Sequence, residues 1–311
     1  MNPVSLAIDI GGSKCVVGLV DREGVVLYKE RFLWRQLDTA HILEDIISHT
    51  KALLKSHPDI SPQVIGASIP GLTDPGKGLW VEASFSGIRN WPIAAALGEA
   101  LGFPVYIDND GQACALAERL FGACRDTADF LYLTVSNGIG GSIFADGRLY
   151  SGHSGAAGEI GHCTAVEGGR PCKCGLRGCL EMHAAGPAIA RNYQEMGGKP
   201  MPDGMMADAA EIAHRALCGE KEAIAVFELE GQYLGRAIAM ACNLLNPRKV
   251  IIGGGVSLAF PLFEQSLKET VAQHVYRAAN PGLEILPTAL GYDGGLLGAA
   301  AVSFVQAEKH D

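Results

Sequence analysis

Two stretches of this chain repeat one pattern, and the repetition narrows the fold more than any other feature. Residues 4–10, VSLAIDI, read as a buried strand ending in the turn Gly11-Gly12-Ser13-Lys14. A second strand follows at Cys15 to Val20, and Asp21-Arg22-Glu23-Gly24 turns the chain into Val25 to Tyr28. The order then returns. Phe130 to Val135 is a strand, Ser136-Asn137-Gly138-Ile139-Gly140-Gly141 a glycine turn, Ser142 to Phe144 a strand, and Asp146-Gly147 turns into Leu149-Tyr150. A chain that begins twice in this way is expected to be a duplicated α/β fold, two lobes around a cleft. Its 311 residues are long for one hydrophobic core, which agrees.

Helical periodicity follows the first repeat, with Ile42, Ile46, Ile47, Leu53 and Leu54 on one face between Thr39 and His57. Val64 to Ile69 is a strand, and Pro70-Gly71 opens a loop running to about Ile93. A helix, Ala94 to Leu101, leads to the strand Val105 to Ile107, which stops at Asp108-Asn109-Asp110 before an alanine-rich helix from about Gln112 to Phe121. After the second repeat come helices near Asp208–Cys218 and Glu220–Leu245, the strand Lys249 to Ile252 ending in Gly253-Gly254-Gly255, and a last helix, Gly298 to Val305. The expected lobes are 1–121 with the C-terminal helix 298–311, and 122–297. Three antiparallel strands that open on an acidic residue and a glycine turn resemble an actin-like or hexokinase-like (ribonuclease H-like) nucleotide-binding lobe.

The chemistry is densest in GEIGHCTAVEGGRPCKCGLRGCLE, residues 158–181. Cys172, Cys174 and Cys179 form C-x-C-x4-C, and His162 stands ten positions before the first of them. Four such ligands at short spacings, among glycines that let the loop fold back, suit a tetrahedral structural Zn2+. The alternative is a set of free buried thiols, since cysteine packs as a small hydrophobe. This stretch is expected as an insertion in the second lobe.

The three glycine turns after strands are neither a P-loop nor a dinucleotide fingerprint. Together they suggest phosphate cradles, because bare backbone N–H groups bind anions. Ser13 and Lys14 add donors beside the first turn, and Asp9 supplies a carboxylate suited to Mg2+. Asp110 is the candidate general base, for phosphoryl transfer to an alcohol needs a carboxylate to take the proton. Asp108-Asn109-Asp110 also suits a helix N-cap, and one residue can cap while another reacts. Asn109, Glu159, His162 and Glu181 offer the polar groups that sugar hydroxyls require. A formal net charge of −9 argues against nucleic-acid and anionic-membrane partners. No apolar run is long enough to span a bilayer and no signal-peptide pattern opens the chain. Nine cysteines without such a signal point to reduced thiols and a cytoplasmic address.

With those motifs in view, the chain resembles the ROK family (repressors, open reading frames and sugar kinases) over essentially its full length. AIDIGGSK, IDNDGQACALAE, GIGGS, GAAGEIGH, CKCGLRGCLE, NPRKVIIGGGVS and DGGLLGAAA carry the resemblance, the GEIGH and cysteine motifs most specifically. It implies that Asp110 is the catalytic base. Asn109, Glu159, His162 and Glu181 would contact a sugar, and His162, Cys172, Cys174 and Cys179 would hold zinc. Asp9, Gly11, Gly12, Ser13, Lys14, Asn137, Gly138, Gly254 and Gly255 would form the ATP and phosphate site.

The implied activity is an ATP-dependent hexokinase, transferring the γ-phosphate to the sugar 6-hydroxyl with Mg2+. Family repressors carry an N-terminal helix-turn-helix; Asp9 stands too near the start to leave room for one, so a kinase is expected. Three places depart from the family pattern. Ser136-Asn137-Gly138 replaces the usual GTG, Gly111-Gln112 replaces Ala-Asn, and Ser84 aligns with the family's sugar-contacting asparagine. Glucose is the first expectation for the sugar, with N-acetylglucosamine, N-acetylmannosamine, fructose and allose as alternatives. A non-catalytic sugar-sensing regulator is the alternative of another class. A homodimer or homotetramer is the assembly expected.

Overall fold

The computed structural model describes residues 3–83 and 86–308. They form two units, Met1–Asp126 with Ala289–Asp311, and Thr127–Thr288. The first opens with β1 (Val4–Ile10), β2 (Lys14–Asp21) and β3 (Val26–Leu33), then α1 (Thr39–Ser56) and β4 (Val64–Ile69). A small three-stranded sheet of β5 (Leu72–Asp74), β6 (Leu79–Ala83) and β7 (Ile88–Trp91) follows, where the sequence suggests only a loop. After it come α2 (Ile93–Leu101), β8 (Val105–Asn109) and α3 (Asp110–Leu120).

The second unit holds β9 (Phe130–Val135), β10 (Ile139–Ala145), β11 (Arg148–Tyr150), α4 (Glu181–Ala184), α5 (Gly186–Glu195), α6 (Ala209–Leu217), α7 (Lys221–Leu245), β12 (Lys249–Gly253), α8 (Phe260–His274) and β13 (Glu284–Pro287). The last helix, α9 (Gly294–Ala307), belongs to the first unit.

The two main sheets have matching orders, β3-β2-β1-β4-β8 and β11-β10-β9-β12-β13. In each, three antiparallel strands are joined to two parallel ones. The duplication read from the two glycine turns is therefore a duplication of topology.

In β1 the alternation of side chains sorts chemistry from packing. Leu6, Ile8 and Ile10 enter a core with Ile42 and Ile46 of α1 and Leu97 of α2. The intervening residues face α9. The Ser5 hydroxyl meets that of Ser303 at 2.7 Å, and Asp9 lies against the first turn of α9, where a Cβ on Gly295 would stand 2.4 Å from its carboxylate. Only glycine lets that helix start so close to Asp9. The second core gathers Leu131, Leu133 and Val135 of β9, Val250 and Ile252 of β12, and Ile189, Ile212, Phe227 and Phe263 from α5 to α8. Asp38 and Asp208 cap α1 and α6, accepting from the N–H groups of His41 and Glu211. Each such cap is worth about 1 kcal/mol.

Candidate functional site

In the first unit the polar residues collect at the carboxyl ends of the parallel strands β1, β4 and β8, the edge where α/β sheets place ligands. Asp9 is the penultimate residue of β1, Ser68 the penultimate residue of β4, and Asp108-Asn109 end β8. Asn109 is the N-cap of α3: its Oδ1 accepts from Gly111 N–H at 2.9 Å, and its Nδ2 donates to the Gly71 carbonyl at 2.7 Å. Asn109 therefore caps the helix, and each end of its amide keeps a second hydrogen-bonding position. Asp110 opens the helix, with one carboxylate oxygen accepting from Gly111 N–H at 2.8 Å.

Asp9 and Asp110 keep part of their surface open but are crowded by protein atoms. Burial, then the charge of Asp110, pushes the Asp9 carboxyl up to about 6; Ser68 and Lys14 act the other way. The Ser68 hydroxyl lies outside hydrogen-bond geometry, so its help is weak. Burial likewise raises Asp110, against the N–H of Gly111 and the side chain of Asn109. Two like charges held this way form a place short of positive charge, which suits a divalent cation carried with a nucleotide. The turn after β1 is closed by Gly11 N–H donating to the Lys14 carbonyl at 2.9 Å, and the exposed N–H groups of Gly12 and Ser13 have no protein acceptor among the described residues. Ser84 lies outside the described residues.

The second unit carries the metal-ligating set. The donor atoms of His162, Cys172, Cys174 and Cys179 all lie within 4.8 Å of one another. Cys174 and Cys179 sulfurs are 3.6 Å apart, and Cys172 Sγ is 3.7 Å from His162 Nδ1. A tetrahedral ion with metal–sulfur bonds of about 2.3 Å has edges of roughly 3.8 Å, so these residues fit Zn2+. The loop is folded by its own backbone: Cys172 N–H donates to Leu176 O at 2.8 Å, Gly175 N–H to Cys172 O at 3.1 Å, and Gly178 N–H to Arg170 O at 2.8 Å. Burial pushes the Cys179 thiol up to about 12, whereas the Leu176 N–H lowers Cys174. A cation would remove both protons.

The other ring nitrogen of His162, Nε2, faces the Glu159 carboxylate at 3.8 Å. His162 therefore joins the metal set to a half-exposed carboxylate. The segment that holds both lies against β10, because Gly158 (φ +99°) has no Cβ to strike the Gly141 carbonyl. Glu181 closes the other end of the loop: its Oε2 accepts from Ile139 N–H at 3.0 Å, pinning the glycine turn that contains Gly138. One of its oxygens is thus structural. Asn137 is exposed at that turn, and Gly254 and Gly255 follow β12 directly, where a Cβ on Gly255 would stand 3.7 Å from Ser136 Oγ.

A model of the ROK family matches residues 5–305. The chain belongs to the ROK family. It is 32% identical over 305 residues to a glucokinase of Halalkalibacterium halodurans, covering 94% of this chain and 92% of that enzyme. It is also 30% identical over 304 residues to the xylose repressor of Bacillus subtilis, covering 96% of this chain and 76% of the repressor. Among solved structures, the ROK glucokinase of Streptomyces griseus in complex with glucose and AMPPNP superposes with a TM-score of 0.85, at 26% identity, over 97% of this chain and 99% of that one. The ROK hexokinase-like fold, with duplicated sheets, is thus the fold of this chain. Its relatives include both sugar kinases and repressors.

Trp34 and Glu118 escape sequence reasoning. The Trp34 indole donates to the Gly11 carbonyl at 2.8 Å, and the buried Glu118 carboxylate accepts from Ala123 N–H at 2.8 Å and Ala289 N–H at 3.2 Å. No local motif marks either one, because both partners are backbone groups distant in the sequence or across a loop.

Proposed function

We propose that this ROK protein is an ATP-dependent sugar kinase that transfers the γ-phosphate of ATP to the 6-hydroxyl of a hexose, glucose first. The observation that carries this is Asp110: a carboxylate at the start of α3, beside Asp9, with burial raising its affinity for a proton. Such a group is suited to orient a primary hydroxyl and take its proton as the oxygen attacks phosphorus. The free N–H groups of Gly12 and Ser13, with Lys14, would bind phosphate. When bound with ATP, Mg2+ neutralises phosphate charge, and Asp9 is the carboxylate that would hold it.

Ser84, Asn109, Glu159, His162 and Glu181 are proposed as sugar contacts, and Asn137, Gly138, Gly254 and Gly255 as nucleotide contacts. The four-ligand set of His162 and the three cysteines leaves no open position for substrate, so zinc would be structural and would fix where Glu159 and Glu181 stand. Nine free thiols suit a reducing compartment, and a cytoplasmic homodimer or homotetramer is proposed. No helix among the described residues is long and apolar enough to cross a membrane.

Similarity to a glucokinase along nearly its whole length supports the kinase. Similarity to the xylose repressor favours a second reading, a sugar-sensing regulator without turnover; the acidic net charge of −9 weighs against a nucleic-acid partner. A coupled ADP-release assay over glucose, N-acetylglucosamine, N-acetylmannosamine, fructose and allose separates them. Sugar-dependent ADP release, greatest with glucose, is expected. Sugar binding without any ADP release would establish the regulator instead.

A further inference from the structure

We infer that Trp34 is a positioning residue for the phosphate-binding turn, aiming the Gly12 N–H at the nucleotide; this rests on the kinase reading above. Three residues, Gly11 to Ser13, lie between β1 and β2, and because Gly11 pairs back with Lys14, Gly12 and Ser13 form the two-residue tip. In a two-residue hairpin loop the flanking pair commonly exchanges both N–H···O=C bonds. Here only one is made, from Gly11 N–H to the Lys14 carbonyl at 2.9 Å. The Gly11 carbonyl instead accepts the indole Nε1–H of Trp34 at 2.8 Å.

A planar trans peptide converts that bond into a direction. The Gly11 carbonyl and the Gly12 N–H belong to one peptide unit and point opposite ways. Holding the carbonyl on Trp34 turns the Gly12 N–H away from Trp34, on the exposed turn where it meets no protein acceptor among the described residues. A Gly-Gly peptide otherwise reorients readily, because neither residue has a Cβ to restrict φ. Reversed, it would present a carbonyl oxygen to phosphate.

Trp34 is itself held on three sides. Its ring meets Phe32 edge-on at 5.4 Å and 88°, and it packs on the core of the first unit. The next residue, Arg35, clamps the segment to α1: its backbone N–H donates to Asp45 at 3.3 Å, its Nε to the same carboxylate, and its guanidinium pairs with Glu44 at 3.2 Å. A half-buried tryptophan fixed this firmly, with its one polar atom spent on a turn carbonyl, serves the turn more than the core.

The test is Trp34→Phe, which keeps an aromatic ring against Phe32 and deletes the indole N–H. ATP, adenosine and the best sugar from the panel are the probes, with wild type measured alongside. The expected result is a KM for ATP raised roughly five- to tenfold, the scale of one lost hydrogen bond. Adenosine affinity and sugar KM should stay near wild type, since only a phosphate contact is misaimed, while Tm falls by a few degrees for the lost indole bond. Trp34→His, which offers a ring N–H again, should recover part of the ATP affinity. An unchanged KM for ATP in Trp34→Phe, in a wild type that does turn over, would overturn the role of Trp34 and leave the kinase intact. Equal losses for ATP and adenosine would overturn it too, as a general structural defect. A wild type that neither binds nor turns over ATP would overturn both.

Discussion

Glu230 shows how a single residue can cost stability in a pH-dependent way. It is fully buried in α7, and neither carboxylate oxygen has a hydrogen-bond partner among the described residues. Burial alone pushes its proton affinity well above the ordinary carboxylate range. In the unfolded chain the group ionises above about pH 4.5; in the fold it stays protonated to much higher pH. The stability associated with the neutral form is therefore complete below that pH and is lost as pH rises toward the folded value. Replacing it with methionine, of similar size and without charge, should raise Tm at pH 8 by about 2–4 °C and by less at pH 5. Thermal melts at both pH values decide it; a lower Tm at pH 8 would mean that the carboxyl has a favourable partner.

At the scale of elements, the loop from Gly158 to Glu181 is pinned at its two ends and carries the four residues that fit a metal. Cys174→Ser removes one of the four donors that this loop brings together. Because such a site contributes folding free energy directly, the variant should lose bound zinc by metal analysis, together with sugar affinity and several degrees of Tm. Full activity in a zinc-free preparation would contradict the scaffold role.

Elements also mark where sequence was enough. The strands at 4–10, 64–69 and 130–135 match residue for residue, since continuous apolar runs between turn signals leave little choice. The small sheet β5-β6-β7 is missed because its strands are three to five residues long and broken by Pro75, Gly76 and Gly78, too short to show a period. The helix α8 is a different case. Its buried Phe260, Phe263, Leu267 and Val271 follow helical spacing behind a proline in the first turn, so the signal was present. The site divides likewise: the zinc ligands and the carboxylates stand in recognisable motifs, while Trp34 acts through a backbone carbonyl that no pattern records.

Across the whole molecule, one sheet topology is used twice, and each copy carries its polar groups at the carboxyl ends of its parallel strands. The first copy holds Asp9, Ser68 and Asp108 to Asp110; the second ends β9 and β12 in the turns at Ser136 and Gly253 to Gly255. Asp110 belongs to the first unit, and the four residues that fit a metal belong to the second. Everything then turns on Asp110. Asp110→Asn keeps the size of the side chain and its acceptor for Gly111 N–H but cannot take a proton. Turnover, measured by coupled ADP release at saturating glucose and ATP, should fall by ~10^2-fold or more, while calorimetric glucose affinity stays near wild type. Near-normal turnover in that variant would show that Asp110 is not the base.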